Sequence, residues 1–314
     1  MYKTKEFNMN KLRKIGLTAL GTSLVASSAI AADASLTGNV GYTWSSEEVG
    51  TSTTDGIGYE ADFNMVVSGE MDNGWTATGS LLLTESATLS SSWTSLTMGS
   101  MGTIIVGNGY GGVGQAFDDV TPKAYEENHD GMKTGTAIDS LGSAMDNGQI
   151  LYMSPSFDVM GASVSVMAEY APEASDVAIT DGAVDGSSNL WSSGQGLGVK
   201  IGYAGISAGA YANERTKDSA DSETDQDAMD ATWHVSYSAG PVSIGYQTGG
   251  VDRGLAGAAN ANNTGAKKLT TANGNFEFEK ISVAANVADG FSVSWGKLTE
   301  TYDEQDDGTV ADVE

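Results

Sequence analysis

The chain has 314 residues with 41 glycines, no cysteine, and 41 acids against 15 bases, a formal net charge of −26. Six Trp, twelve Tyr and an apolar share of 40% exclude a disordered polyelectrolyte, and the lack of Cys excludes a small disulfide-stapled scaffold. The acidic balance argues against nucleic acid as a partner, because a phosphate backbone has to be met by Lys and Arg.

The first element in chain order is N-terminal. Lys3, Lys5, Lys11, Arg13 and Lys14 precede a mostly apolar stretch from Ile15 to about Ile30, closed by Ala29-Ile30-Ala31. A basic region, a short apolar run and an A-x-A end are the three parts of a secretory signal, with cleavage expected after Ala31. Met9 is an alternative start. Thr18, Gly21, Thr22 and Ser23 interrupt the run, whereas a spanning helix wants ~20 mostly apolar residues. Residues 1–31 therefore read as a signal peptide, and the exported chain, 32–314, keeps ten bases against forty acids.

Alternation with a period of two begins at once. Leu36, Gly38, Val40, Tyr42 and Trp44 interleave with Ser35, Thr37, Asn39, Gly41 and Thr43, giving a strand with one apolar and one wet face. The pattern returns in Tyr59, Ala61, Phe63, Met65, Val67 and in Trp75, Ala77, Gly79, Leu81, Leu83. Later copies start at Val164, Leu197, Met229, Val242 and Phe291. Thirteen strands are predicted, at 34–45, 57–69, 75–85, 91–100, 103–108, 148–154, 162–170, 196–203, 206–212, 228–238, 241–249, 278–287 and 291–300.

A soluble β-sandwich alternates in the same way, so the two readings are separated by three further features. The apolar faces carry no charge, while the interleaved faces hold Glu60, Asp62, Glu169, Lys200, Asp230 and His234. A Lys or Arg on a lipid-facing wall at mid-membrane costs ~2–4 kcal/mol, so exclusion is expected there. Tyr42, Trp44, Tyr59 and Tyr170 fall at one end of the strands and Trp75, Tyr203 and Tyr237 at the other, as two interfacial belts would. Finally, turns such as Met101-Gly102, Ala204-Gly205 and Ala239-Gly240 alternate with long connections at 46–56, 109–147, 171–195, 213–227 and about 250–277. The predicted fold is all-β, a transmembrane antiparallel up-and-down β-barrel. Thirteen is an odd number and the chain stops in the loop-like Glu304-Gln305-Asp306-Asp307 stretch before Glu314. The expectation is a sequence short of about three C-terminal strands, sixteen in the full barrel.

Asn147-Gly148-Gln149-Ile150-Leu151-Tyr152-Met153-Ser154-Pro155 resembles the N-x-x-x-Y-x-S-P segment of the Gram-negative general porins, most of all their alphaproteobacterial members. Ser95 to Gly107 is similar to the paired strands and tight turn before the third loop of that family, and Asp289 to Gly296 to a late hairpin. The resemblance implies a water-filled barrel in the outer membrane, usually a homotrimer, in contact with the lipid bilayer and lipopolysaccharide. It implies a third loop, here 109–147, folded inward to narrow the pore. That loop carries Asp118, Asp119, Glu126, Glu127, Asp130, Asp139 and Asp146 against Lys123, Lys133 and His129. The facing arginine cluster common in the family is missing, since the first four strands have no Lys or Arg, and position 108 is Asn108. The expected constriction consists of Asp118, Asp119, Glu126 and Glu127 on the loop with Glu60 and Asp62 on the wall. Its negative field favours cations, and the expected function is passive diffusion of ions and small hydrophilic solutes.

Other motifs give less. Gly107-Asn108-Gly109-Tyr110-Gly111-Gly112 fits G-x-G-x-x-G, but no apolar helical period follows to hold a pyrophosphate. Asp303 to Glu314 approximates a calcium loop with Gln305 at a ligand position and no flanking helices. No cofactor is expected, beyond loose divalent cation binding at acidic loops. With two histidines, His129 and His234, and no Cys, the chain offers little for nucleophilic catalysis and is expected not to be an enzyme. The alternative is a secreted or surface-attached β-sandwich adhesin.

Overall fold

The computed structural model describes residues 33–49, 52–84, 86, 88–118, 120–124, 138, 141–142, 145, 147–174, 191–217, 227–252, 275–303 and 310–313. The predicted signal peptide lies outside them. The described residues form one antiparallel sheet in which strands pair in sequence order, except that β6 pairs with β8 and β7 lies off the path. Its strands are β1 (Asp33–Val49), β2 (Ser52–Glu70), β3 (Thr76–Leu83), β4 (Leu89–Thr97), β5 (Thr103–Asn108), β6 (Asn147–Met153), β7 (Phe157–Val159) and β8 (Ala162–Ala171). They continue as β9 (Trp191–Tyr203), β10 (Ile206–Lys217), β11 (Ala228–Ala239), β12 (Val242–Asp252), β13 (Asn275–Ala288), β14 (Phe291–Asp303) and β15 (Val310–Val313). All thirteen predicted strands are present. The two additions are β7, a short edge piece paired only with β8 inside the 155–161 connection, and β15, which pairs with β14 in the acidic stretch read as loop. The long connection expected at 46–56 is instead mostly ladder, with Val49 opposite Ser52.

The faces are those that alternation requires. Leu36 is 70% exposed, Phe63 52%, Trp233 49% and Trp295 60%, all on one side of the sheet. On the other side Glu169, Asn213, Asp230, Thr232, Gln247 and Ser282 are buried. A sandwich would have put the apolar side chains between two stacked layers and the polar ones in water. Here the polar face is the covered one, so the adhesin reading fails and the up-and-down barrel sheet stands. Opposed aromatics mark the ends of the apolar band: Tyr42 pairs with Tyr59 in the register, their rings 5.3 Å apart. The outward face is not apolar throughout, because Glu214, Glu277, Glu279 and Lys297 lie on it toward the long-connection end of β10, β13 and β14.

The tight turns sit at the opposite end. Tyr203 pairs with Ile206 across Ala204 and Gly205, whose φ angles are 48° and 85°. Positive φ at both central residues is the type I′ pattern, whose twist matches that of the flanking strands. Alanine meets steric resistance there that Asn largely avoids.

Replacing Ala204 by Asn is expected to stabilise the β9–β10 hairpin by about 0.5–1 kcal/mol, read as a higher urea midpoint in lipid vesicles. Val235→Arg, on the outward face, is expected to cost about 2–4 kcal/mol in the same assay.

Candidate functional site

The described residues of the segment between β5 and β6 lie on the polar face of the sheet, and both faces of that contact are legible in chemistry. It opens with a four-residue helix, α1 (Gly112–Gln115), entered through Gly111 at φ 97°. Val113 and Phe117 are fully buried against Ile105, Leu151, Met167 and Tyr211, with Trp93 and Tyr110 packed at the edge. Farther along, Ile138 and Leu141 pack on Val251, Phe276, Phe278 and Leu298. Met145 closes the segment against Ala171, Ala174 and Ala228. Two apolar clusters and a third small one therefore fix the described parts of the segment to the wall.

Polar side chains of the wall then satisfy the backbone of the segment, which a buried loop needs because its amides have no ladder. Glu169 on β8 accepts from Val113 N at 2.6 Å and from the Tyr211 hydroxyl at 2.7 Å. The Gln149 amide, turned with its nitrogen toward Glu169, donates to Glu169 Oε2 at 3.3 Å and to Met145 O at 3.0 Å. Its oxygen then accepts from Gly112 N at 3.0 Å. Asp230 on β11 accepts from Gly142 N at 2.9 Å and from Asn213 Nδ2 at 3.2 Å, with Arg215 3.8 Å away. Gln247 on β12 donates to Phe117 O at 2.6 Å and Asp118 O at 2.7 Å while its oxygen accepts from Val120 N at 3.3 Å. Ser282 on β13 donates to Pro122 O at 2.7 Å.

Glycines on the same face leave the room this contact occupies. A Cβ at Gly198 would stand 2.6 Å from Phe117 and 2.7 Å from Val113, and one at Gly209 would stand 2.8 Å from Phe117. Phe117 fills the space so made, stacked on Tyr211 at 5.8 Å with the Lys200 ammonium 4.8 Å over its ring. Charges on the covered wall are of both signs: Glu169, Asp230 and Glu300 with Lys200, Arg215 and Lys280, all on the polar face.

The sequence-predicted constriction residues divide. Asp118 lies on the segment beside Gln247, and its carboxylate acts electrostatically on Lys200. Glu60 and Asp62 are half-buried on the polar face of β2, where Asn39 donates to Glu60 at 3.0 Å. Neighbouring Asn64 and Ser80 bond to each other at 2.9 Å. Asp119, Glu126 and Glu127 lie outside the described residues, so the two groups are not seen together. Sequence reasoning placed Glu169, Lys200 and Asp230 on the wet face but missed their role in seating the segment. The available signal was Gly194, Gly196 and Gly198, three glycines on one face of β9, which mark a close approach by another part of the chain. Among the described residues no group of three or more His, Cys, Asp or Glu side chains is arranged to hold a metal.

Replacing Glu169 by Ala removes the acceptor of two buried donors, a loss of about 1–3 kcal/mol each. Limited proteolysis of the folded protein is expected to cut within 109–147 at least about tenfold faster in this variant, with the strands left intact. Gly198→Val, which displaces Phe117 sterically, is expected to do the same.

The structure is similar to two solved outer-membrane proteins. Against the anion-selective porin from Comamonas acidovorans the TM-score is 0.54 at 14% identity, covering 90% of this chain and 82% of that one. Against Salmonella typhi OmpF, solved in complex with daunomycin, it is 0.58 at 13% identity with the same coverages. At these identities the likeness concerns the fold. No curated protein matches. The sequence model of the Gram-negative porins matches residues 16–311, nearly the whole chain. With the barrel sheet, its exposed apolar face and the covered polar one, this establishes that the chain belongs to the Gram-negative porin family and resides in the outer membrane.

Proposed function

We propose that this porin forms a water-filled channel for the passive diffusion of ions and small hydrophilic solutes, that it prefers cations, and that the 109–147 segment narrows the channel. The observation that carries this reading is the seating of that segment on β8–β13 by Glu169, Asp230, Gln247 and Ser282. A segment fixed on one side of a tube leaves the facing side as the passage. That facing side is β1–β4, whose polar face offers Asn39, Glu60, Asp62, Asn64 and Ser80 and no base. Lys200, half-buried, holds its ammonium over the Phe117 ring with the Asp118 carboxylate acting on it, which offsets its charge. Carboxylates left facing water in a low-dielectric constriction raise the local concentration of cations. Asp118, Asp119, Glu126 and Glu127 are the segment's contribution to that field in this reading, and Glu60 and Asp62 the wall's.

Family membership and sequence support the remaining parts of the reading. Residues 1–31 act as the cleaved signal and 32–314 as the barrel. The assembly is a homotrimer bordered by lipid and lipopolysaccharide, without a resident cofactor, though acidic loops bind divalent cations loosely. The chain acts as a conduit rather than as a catalyst.

Planar-bilayer recordings across a KCl gradient test the charge preference. The reversal potential is expected to have the cation sign, and Glu60→Gln with Asp62→Asn to lower the cation-to-anion permeability ratio by roughly twofold. An anion sign in the unmodified protein would overturn the proposal.

A further inference from the structure

His234 has no part in the latch described above, although it sits at its centre. The register places Ser165, Lys200, Gly209, His234, Gln247 and Lys280 in one row across β8 to β13. His234 is 4% exposed, and its Nδ1 has no hydrogen-bond partner. Its ring lies 5.9 Å from that of Phe117, the aromatic anchor of the segment. A Cβ at Gly209 would come within 2.6 Å of its Cε1, so the imidazole occupies a space left by a glycine, as Phe117 does.

The groups around it are set against a second positive charge. Lys200 on β9 acts on it electrostatically, Lys280 on β13 lies beyond Gln247 in the same row, and β10 offers Gly209 and Tyr211. The nearby carboxylates are engaged elsewhere. Asp118 of the segment acts on Lys200, Asp230 of β11 receives Gly142 and Asn213, and Glu169 of β8 receives Val113 and Tyr211. A covered imidazolium needs water or a counter-ion, and the Phe117 ring packs against His234.

We propose that His234 is a positioning residue for the 109–147 segment, whose neutral imidazole lets Phe117 seat on the wall and whose protonation on acidification unseats it. The proposal rests on the reading of that segment as the element that narrows the channel. Because the chain has no native cysteine, one introduced thiol reports the motion. Val113→Cys, on the side of the segment buried against the wall, is labelled with maleimide in the folded full chain from about pH 7.5 to about pH 4.5. Met160→Cys, at a fully exposed turn, corrects for the reagent's own pH dependence. The corrected rate is expected to rise about tenfold on acidification, with a matching change in single-channel conductance. Both changes are expected to vanish in His234→Phe, which keeps the aromatic packing, and in His234→Gln. Unchanged labelling over this range would overturn the inference. So would a pH response that survives in both variants, since the switch would then lie in Glu169 or Asp230. Absence of conductance at every pH, with the labelling response intact, would instead count against the channel reading alone.

Discussion

Lipid accepts no hydrogen bonds, and that constraint governs the rest of this molecule. Every amide that crosses the hydrocarbon has to be paired with a neighbouring strand, which dictates the antiparallel order from β1 to β15 with only the short β7 off the path. Antiparallel pairing in turn fixes alternation, so each strand contributes one row to lipid and one to the polar face. The exposed Phe63, Trp233 and Trp295 are in their low-energy environment for that reason. The usual sense of a hydrophobic core is inverted. What lies inside is a polar wall, and among the described residues its apolar clusters form where a piece of chain is folded onto it.

That folded piece raises the opposite difficulty. Its backbone is buried without belonging to a ladder, and each unpaired amide would cost about as much as the burial of a side chain gains. The wall meets this with side chains of defined reach: a carboxylate for Val113 and another for Gly142, and a Gln whose two ends serve three backbone groups. Glycines on β9 and β10 make the approach sterically possible.

Much of the architecture was legible in the sequence because a period of two is strict and lipid punishes a violation. All thirteen predicted strands, the tight turn at 204–205, and the wet-face position of Glu169, Lys200, Asp230 and His234 follow from it. Strand ends were less legible. Thr53 and Thr54 carry no apolar partner pattern, so the outward extension of the β1–β2 ribbon, paired through Glu47 and Glu48, could not be read from alternation. The seating of the segment was illegible for another reason. Glu169 and Val113 are 56 residues apart, and no local periodicity reports which inward side chain meets which loop amide.

The outward Glu277, Glu279 and Lys297 carry a consequence for the surrounding membrane. On β13 the greasy run is Ile281, Val283, Ala285 and Val287, and on β14 only Phe291, Val293 and Trp295, whereas on β2 it extends from Ile57 to Val67. Each outward position adds about 7 Å along a strand, so one flank of the barrel presents a shorter oily height than the other. Acyl chains meeting that flank must compress or be replaced by something less fluid, at fractions of a kcal/mol per Å. The outward apolar band is thus shorter on β13 and β14 than on β2.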